Sequence, residues 1–366
     1  MTTGDFRRLV RAHYRDLVPY ASIVPTNVLG EAGGVTAEGI IKLDGNENPW
    51  GPSPATLAAL ANYREWEIYP DPGQRRLRGK LGEYVDVPPP HILPGNGSDE
   101  VIDLLMRVFL DPGDTIINCP PTFGMYPFSA QVNAAGVVSV PRRADFTLDL
   151  EATVAAARQP RTKMIFLASP NNPTGTPLLR AELDALLATG ILVVVDEAYV
   201  EFANTGSYAT LAPQHENLVV LRTFSKWAGL AGLRVGYGIM APALVSLIDQ
   251  MKPPYNVNVA ALVAAEAALD DRAYQLQRVA AMVDERDSRL FPGLRTVPYL
   301  DPIPSQANFV LSRISGREPV AVKQALERRG IFIKAVTDPA LPGGGLRVSV
   351  GKPEHTDAVI AALREA

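Results

Sequence analysis

The distribution of apolar positions along the chain predicts several strands that are buried on both faces. Three short runs, at residues 163–168, 190–195 and 218–221, are almost entirely apolar. Such runs are typical of parallel strands covered by helices on both sides of the sheet. An amphipathic pattern at 101–109 and a further helical pattern at 54–63 predict two of these helices. We therefore expect an α/β fold whose large domain is a doubly wound, mostly parallel sheet.

The last third of the chain predicts a smaller α+β domain. Residues 260–283 are rich in alanine and charged side chains and predict one long helix. Beyond it, the pattern predicts strands at 305–311, 330–334 and 345–351 and helices at 320–329 and 354–365. We expect an N-terminal arm (residues 1–42, with a glycine-rich passage at 30–39) that contributes to the small domain, a large domain (43–257) and a small domain (258–366).

The composition narrows the class of protein. The 366 residues carry a formal net charge of -4 without a basic stripe, which disfavours a nucleic-acid partner. The single cysteine, Cys119, excludes an intrachain disulfide, and the four histidines lack ligand spacing, so we expect no metal site. The N-terminus lacks the apolar core of a secretory signal, and no apolar run is long enough to span a bilayer. These features predict a cytoplasmic protein without a membrane partner.

Lys226 follows the apolar run at 218–221 and has two interpretations. A single lysine on a loop is most often a solvated surface residue. A lysine beside a phosphate site can instead form a Schiff base with an aldehyde cofactor. Ser225 precedes Lys226, and Arg234 follows it on the same loop. A hydroxyl and a guanidinium suit a phosphate dianion, so the combination favours pyridoxal phosphate (PLP).

Asp196 ends another apolar run, and Tyr199 follows three residues later. Open α/β sheets place ligands at the carboxyl ends of their strands, where a carboxylate can keep a pyridine nitrogen protonated. An apolar strand that ends in Asp-Glu also occurs in P-loop ATPases. The sequence contains no Gly-x-x-x-x-Gly-Lys-[Ser/Thr] segment, which disfavours that class.

A glycine-rich turn at 95–100 precedes the helix predicted at 101–109. Ser98 is the predicted N-cap of this helix. A helix N-terminus favours an anion, whereas the carboxylates of Asp99 and Glu100 would repel one. We therefore expect Ser98 and Asp99 to offer backbone N–H groups, with both carboxylates turned away.

Two motifs carry a resemblance to a known family. Residues 225–236 read Ser-Lys-Trp-Ala-Gly-Leu-Ala-Gly-Leu-Arg-Val-Gly and resemble the cofactor-lysine motif of fold-type I PLP enzymes, the class I and II aminotransferases. Residues 43–53 read Leu-Asp-Gly-Asn-Glu-Asn-Pro-Trp-Gly-Pro-Ser and are similar to the opening motif of the histidinol-phosphate aminotransferases. Further matches follow in family order, so the resemblance covers residues 43–351.

The resemblance implies a role at the cofactor for each matched residue. Lys226 holds the aldehyde and moves the proton, Asp196 binds the ring nitrogen, and Tyr199 acts beside them as the third catalytic residue. The other residues implied to bind PLP are Ser98, Asp99, Phe123, Asn172, Ser225, Arg234 and, from a second subunit, Tyr69. Phe123 stacks on the ring where the family usually has tyrosine, and Asn172 and Tyr199 bind the phenolic oxygen O3′. The role of Tyr69 implies a homodimer with shared sites.

For the substrate, the resemblance implies transfer of the amino group of L-histidinol phosphate to 2-oxoglutarate. The products are imidazole acetol phosphate and glutamate, in histidine biosynthesis. The residues implied to bind substrate are Tyr20, Asn308, Lys334 and Arg347. Lys334 stands where the family commonly has arginine, and Phe123 stands where it usually has tyrosine. Because of these two departures, an aromatic amino-acid aminotransferase of the same subfamily remains an alternative. A threonine-phosphate decarboxylase is a more remote alternative, and the arm is too short for the helix-turn-helix domain of a PLP-binding transcription regulator.

Overall fold

The computed structural model describes residues 6–15, 17–26, 28–29 and 39–366. A short strand, β1 (Ile41–Lys42), precedes the central sheet of the large unit. The strands of that sheet are β2 (Ile92–Gly95), β3 (Thr115–Asn118), β4 (Gly136–Ser139), β5 (Thr162–Ala168), β6 (Leu192–Asp196), β7 (Leu218–Thr223) and β8 (Gly236–Ile239). Their order is β2-β8-β7-β6-β5-β3-β4, and only β8 runs antiparallel to its neighbours. The mostly parallel sheet predicted from the apolar runs is therefore confirmed.

Successive residues of the central strands point into two separate apolar cores, one on each face of the sheet. Ile165 and Val193 belong to one core, whereas Phe166 and Val194 belong to the other, and all four are fully buried. Burial on both faces explains why these strands are apolar over most of their length, with polar residues only at their ends.

The register of the central strands places their carboxyl ends at one edge of the sheet. Asp196 ends β6 and pairs with Ala168 of β5 and Leu221 of β7. The chain leaves β7 at Thr223, shortly before Lys226. Because the three strands are parallel, the residues that follow them meet at the same edge.

Helices cover both faces of the large sheet. The helices of this part of the chain are α1 (Pro54–Asn62), α2 (Arg75–Val85), α3 (Ser98–Phe109), α4 (Met125–Val132), α5 (Leu150–Ala157), α6 (Arg180–Leu187) and α7 (Pro242–Met251). All of them except α1 contact the sheet; α1 packs against the helix Val259–Asp270. α1 begins after Ser53, whose hydroxyl accepts a hydrogen bond from the N–H of Thr56 and so caps the helix. Among the described residues, every helix is too short or too polar to cross a bilayer.

Two helices occupy the stretch that the sequence predicts as one. α8 (Val259–Asp270) and α9 (Arg272–Glu285) are separated at Asp271, so the prediction of a continuous helix over 260–283 is wrong. No glycine or proline marks this break; two consecutive aspartates, Asp270 and Asp271, stand at it. A π-helix (Arg286–Leu290) and α10 (Phe291–Arg295) follow directly.

The C-terminal unit is built on a four-stranded antiparallel sheet. Its strands are β9 (Leu300–Pro302), β10 (Phe309–Ile314), β12 (Lys334–Val336) and β13 (Gly345–Ser349), in the order β12-β13-β10-β9. The helices of this unit are α11 (Pro319–Glu327) and α12 (Pro353–Glu365). The strand predicted over 330–334 is split, because β11 (Ile331–Phe332) pairs with β1 instead of joining this sheet.

The arm contacts both units. Its end, β1, pairs in parallel with β11 of the C-terminal unit. Earlier in the arm, the Tyr14 phenol donates a hydrogen bond of 3.0 Å to the carbonyl of Val132, at the end of α4. Most of the glycine-rich passage at 30–39 lies outside the described residues, and the bounds of the three predicted domains stay a prediction.

Candidate active site

A cavity of about 210 Å³ lies at the carboxyl edge of the large sheet. Its wall includes all but one of the residues that the sequence nominates for the cofactor. They are Ser98, Asp99, Phe123, Asn172, Asp196, Tyr199, Ser225, Lys226 and Arg234. These residues come from loops that are far apart in the chain, so the parallel sheet is what brings them together.

Lys226 carries a partly buried amine in this cavity. Its Nζ donates a hydrogen bond of 3.0 Å to the carbonyl of Gly45. Burial lowers the pKa of Lys226 to about 8, and the positive charge of Arg347 contributes in the same direction. A substantial fraction of this amine is therefore unprotonated just above neutral pH, which a nucleophile or a proton carrier requires.

Asp196 is a carboxylate with only 4% of its surface exposed. Its Oδ2 accepts a hydrogen bond of 2.8 Å from the Tyr126 phenol, and its Oδ1 accepts one of 3.1 Å from the N–H of Ala198. Burial raises the pKa of Asp196 to about 6, although the Tyr126 hydrogen bond opposes this shift. A cation placed beside the Asp196 carboxylate would stabilise its ionised form.

The N-terminus of α3 forms a cradle for an anion. α3 begins at Ser98 with Gly97 as N-cap and no side-chain cap, so the predicted N-cap is displaced by one residue. The first N–H groups of the helix therefore lack the side-chain partner that would otherwise cap them. Gly97 has a φ of 79°, and a Cβ there would lie 2.5 Å from Nη2 of Arg234. A Cβ at Gly236 would lie 2.5 Å from the backbone nitrogen of Ser98, so two glycines keep this cradle open.

The carboxylate of Asp99 does not turn away from the cradle, contrary to our expectation. Its Oδ2 lies 2.9 Å from Nη2 of Arg234, and both side chains are part of the cavity wall. Glu100 does point elsewhere, since its carboxylate accepts hydrogen bonds from the N–H of Asn96 and the amide of Asn256. Asp99 therefore holds the guanidinium of Arg234 beside the helix N-terminus.

Tyr199 and Asn172 each keep one hydrogen-bonding group without a partner in the part of the chain that the structure describes. The Tyr199 phenol oxygen accepts a hydrogen bond of 3.0 Å from the amide of Asn46. Burial raises the pKa of Tyr199 to about 12, so the phenol keeps its hydrogen at neutral pH. The amide oxygen of Asn172 accepts a hydrogen bond of 2.5 Å from Arg347, which leaves its Nδ2 able to donate elsewhere.

A second cavity of about 480 Å³ adjoins the first and shares Phe123 and Asn172 with it. Three of the predicted substrate residues line it: Tyr20, Lys334 and Arg347. The Tyr20 ring packs against Phe123 at a centroid distance of 6.4 Å.

Lys334 and Arg347 place two cations side by side in this second cavity. They pair directly across β12 and β13, and within the described part of the chain neither forms a salt bridge. Burial lowers the pKa of Lys334, and the neighbouring Arg347 lowers it further. Like charges at opposed positions destabilise a sheet, so this pair is expected to serve an anionic ligand.

Two predicted site residues line neither cavity. Tyr69 is 76% exposed and stacks on Tyr255, with the ring centroids 4.5 Å apart. Asn308 is buried behind the cavity, where its Nδ2 donates a hydrogen bond of 2.9 Å to the carbonyl of Asn46. The substrate-binding role of Asn308 stays a prediction, and its buried Oδ1 has no hydrogen-bond partner among the described residues.

Sequence reasoning missed several residues of the site. Tyr126 reaches Asp196 from α4, and Asn46 reaches Tyr199 from the loop after β1. Glu47 and Ile23 also line the first cavity. The opening motif at 43–53 was the available signal for Asn46 and Glu47, whereas nothing in the local sequence distinguishes Tyr126 from a core aromatic. Over the described ranges, no cluster of His, Cys, Asp or Glu side chains could hold a metal ion.

Comparisons with known proteins agree with this geometry. The family model described as aminotransferase class I and II matches residues 38–365. The chain is 48% identical over 365 residues to the histidinol-phosphate aminotransferase of Roseiflexus castenholzii, covering 98% of each protein. It is also 48% identical over 363 residues to the chloroplastic histidinol-phosphate aminotransferase of Nicotiana plumbaginifolia, covering 99% of this chain and 87% of the relative.

The fold matches that of a solved structure. The crystal structure of histidinol-phosphate aminotransferase from Sinorhizobium meliloti in complex with pyridoxal-5'-phosphate has a TM-score of 0.87 at 25% sequence identity, over 97% of this chain and 96% of that chain. This match confirms the predicted fold class. Because the family model spans nearly the whole chain and both relatives are similar along their length, the chain belongs to the class I and II aminotransferase family.

Proposed function

We propose that the chain is a PLP-dependent aminotransferase that transfers the amino group of L-histidinol phosphate to 2-oxoglutarate. The products are imidazole acetol phosphate and glutamate. The observation that carries the proposal is the meeting of Lys226 and Asp196 in one cavity that adjoins a second, cation-lined cavity. The names of the two relatives at 48% identity support the choice of donor.

The residues present fit the phosphate of PLP. The uncapped N-terminus of α3 offers N–H groups, and Ser225 and Arg234 line the same cavity. Both the dipole of α3 and the guanidinium of Arg234 would stabilise a bound phosphate dianion. Asp99 would orient Arg234 through their 2.9 Å ion pair, while its own N–H remains at the helix start.

The residues present also fit the ring of PLP. Asp196 would hold the protonated ring nitrogen, since its buried carboxylate has no cationic partner among the described residues. Phe123 would stack on the ring, as an aromatic face can do without a hydroxyl. The free Nδ2 of Asn172 and the Tyr199 phenol would both donate to O3′.

Lys226 is the residue that moves the proton. When bound, PLP supplies an electrophilic aldehyde and an electron sink for the α-carbon of the donor. With its pKa lowered to about 8, the Nζ of Lys226 can take a proton from the α-carbon and return it near neutral pH.

Lys334 and Arg347 would bind the acidic group of the substrate. Arg347 already donates to Asn172 and to the carbonyl of Asp44, but its buried Nε has no acceptor among the described residues. Lys334 is half-buried and lacks an acidic partner within the same ranges. Two such cations favour a phosphorylated donor over a neutral side chain.

The aromatic lining of the second cavity supports one alternative donor. Tyr20, Phe123 and Phe128 form an apolar wall that would also accept phenylalanine or tyrosine. On this alternative, the enzyme is an aromatic amino-acid aminotransferase, and the two cations bind only the carboxylates of donor and acceptor.

The deciding experiment is a steady-state comparison of amino donors with 2-oxoglutarate as acceptor. L-histidinol is the matched control for L-histidinol phosphate, because it lacks only the phosphate. We expect kcat/KM for the phosphorylated donor to be higher by about 100-fold or more, from two charge-assisted contacts. Equal values, or a preference for phenylalanine, would favour the aromatic alternative. Release of CO₂ from phosphothreonine would instead indicate the decarboxylase.

We further propose a homodimer in which Tyr69 of one subunit contacts the PLP phosphate bound to the other. Trp66 and Ile68 precede Tyr69 in the chain and are exposed like it, and such exposed apolar side chains suit burial against a second copy. A cytoplasmic location stays a prediction.

A further inference from the structure

Asn46 belongs to the opening motif but has no part in the function proposed above. Its side chain is 1% exposed, and its backbone has a φ of 53°. Asparagine tolerates this left-handed conformation, but glycine does so more easily. The conformation alone therefore does not explain why an amide stands at this position.

The amide and backbone of Asn46 make four hydrogen bonds with three buried partners. Nδ2 donates to the Tyr199 phenol oxygen at 3.0 Å, and Oδ1 accepts from the Ser349 hydroxyl at 2.9 Å. The backbone N–H of Asn46 donates to the same Ser349 hydroxyl at 2.9 Å. The backbone carbonyl accepts from the amide of Asn308 at 2.9 Å. The site residue Tyr199 is thus joined to two residues of the C-terminal unit.

These contacts determine which way the amide faces. The Ser349 hydroxyl accepts one hydrogen bond from the Asn46 backbone and gives its own hydrogen to Oδ1. If the amide were flipped, the Ser349 hydrogen would lack an acceptor among the described residues. A buried hydroxyl without an acceptor costs about 1–3 kcal/mol, so Nδ2 faces Tyr199.

The direction of this bond leaves the Tyr199 hydrogen available. Because the phenol oxygen accepts from Asn46, its O–H must point elsewhere. Over the described ranges this hydrogen has no protein acceptor, and Tyr199 lines the first cavity. Burial raises the pKa of Tyr199 to about 12, so the phenol does not lose this hydrogen by ionising.

We propose that Asn46 is a positioning residue that makes the Tyr199 phenol a hydrogen-bond donor toward the phenolic oxygen of the bound cofactor, with Ser349 and Asn308 holding Asn46 in place. This inference rests on the proposed function, since that oxygen belongs to PLP. Ser349 ends β13 and Asn308 precedes β10, so both supporting residues belong to the C-terminal sheet. Through Asn46 they hold Tyr199, which follows β6 of the large sheet.

The test is a pH titration of the visible band of the PLP-loaded enzyme in Asn46→Asp, Tyr199→Phe and the double variant. A donor to the phenolic oxygen stabilises its ionised form and lowers the midpoint of this titration. In Asn46→Asp, the introduced carboxylate accepts the Tyr199 hydrogen and turns it from the cavity. We expect each single variant to raise the midpoint by about one pH unit.

The double variant distinguishes positioning from a simple effect of charge. If Asn46 acts through Tyr199, the double variant has the same midpoint as Tyr199→Phe. The proposal would be overturned if Asn46→Asp alone left the midpoint unchanged. It would also be overturned if adding Asn46→Asp to Tyr199→Phe raised the midpoint as much as it does in the unaltered protein. Asn217→Asp is the matched control, because Asn217 binds the carbonyls of Leu187 and Ile191 and lines neither cavity; we expect no shift.

A second variant covers the case in which Asn46→Asp does not fold. Ser349→Ala removes only the hydroxyl that orients the amide, and we expect a smaller shift in the same direction. An unchanged midpoint in Ser349→Ala would then count against the proposal. Failure of PLP binding, the part of the proposed function on which this inference rests, gives a different result, since the unaltered protein would then show no visible band with PLP.

Discussion

The Tyr126 phenol donates a 2.8 Å hydrogen bond to Oδ2 of Asp196, and both side chains are buried. Tyr126 reaches this carboxylate from α4 and stacks on Phe166 of β5 at a centroid distance of 5.1 Å, which restricts its ring. A donor to the ionised carboxylate opposes the effect of burial, which raises the pKa of Asp196. Tyr126 therefore keeps Asp196 ionised over more of the neutral range.

Tyr126→Phe should raise the pKa of Asp196 above its value of about 6, by about one unit for the loss of one hydrogen bond to a charged group. Because a protonated Asp196 cannot hold a ring cation, transamination should fall most near pH 6–7 and recover as the pH rises. The carboxyl infrared band of the apoprotein reports the pKa, and kcat/KM against pH reports the consequence.

Tyr84→Phe is the control for this variant. The Tyr84 phenol also donates to a buried carboxylate, that of Glu201, but neither residue lines either of the two cavities described above. Its removal should lower stability without moving the pH profile. An unchanged profile in Tyr126→Phe, or an equal shift in Tyr84→Phe, would refute the role given to Tyr126.

Lys226→Met should stabilise the apoprotein near neutral pH. Burial lowers the pKa of Lys226 to about 8, against 10.5 for the unperturbed group, so the protonated amine destabilises the folded state. The full cost is present below pH 8 and disappears as the pH rises toward 10.5, since stability increases wherever the unfolded state binds more protons. At pH 7 the free energy of unfolding should increase by roughly 3 kcal/mol.

Urea unfolding of the apoprotein at a series of pH values measures this difference. Lys163→Met, at an exposed lysine, removes the same charge and should give no pH-dependent gain. The explanation by burial would fail if the advantage of Lys226→Met did not narrow between pH 8 and about 10.5.

The framework of the site could be predicted from the sequence because it depends on local patterns. Apolar runs indicate buried parallel strands, and such strands place Asp196 and the loop of Lys226 at one edge. The resemblance then added Asn172 and Arg347, whose side chains the structure brings together through a 2.5 Å hydrogen bond.

The hydrogen bonds that orient Tyr199 and Asp196 could not be predicted, because they join residues that are far apart in the chain. Tyr126 and Asp196 are separated by 70 positions, and Asn46 and Ser349 by 303. Nothing in the local sequence distinguishes such a tyrosine from one that fills the core. The break at Asp271 was missed for another reason: aspartate favours helix ends, but the alanine-rich residues before it favour a continuous helix and hide this weak signal.

Lys334→Met should change donor preference more than overall activity. Removing one of the two cations in the second cavity should lower kcat/KM for L-histidinol phosphate by about 10- to 100-fold. The value for phenylalanine should change by only about threefold, because its ring would contact the apolar wall. Lys334→Arg should restore most of the loss, and Lys163→Met should leave both donors unaffected. Equal losses for the two donors would show that Lys334 does not recognise the phosphate.

The role of Tyr69 in a shared site can be tested with hybrids of two inactive variants. Tyr69 is exposed within its own chain and lines neither cavity, so the proposed contact with the PLP phosphate would have to come from a neighbouring subunit. Tyr69→Ala and Lys226→Ala should each abolish most activity at limiting PLP. In a hybrid dimer, one site carries both changes and the other carries none. Refolding an equal mixture should therefore restore about one quarter of the unaltered activity, because half of the dimers are hybrids with one intact site. If Tyr69 served its own chain, both sites of the hybrid would be damaged, and mixing would restore nothing.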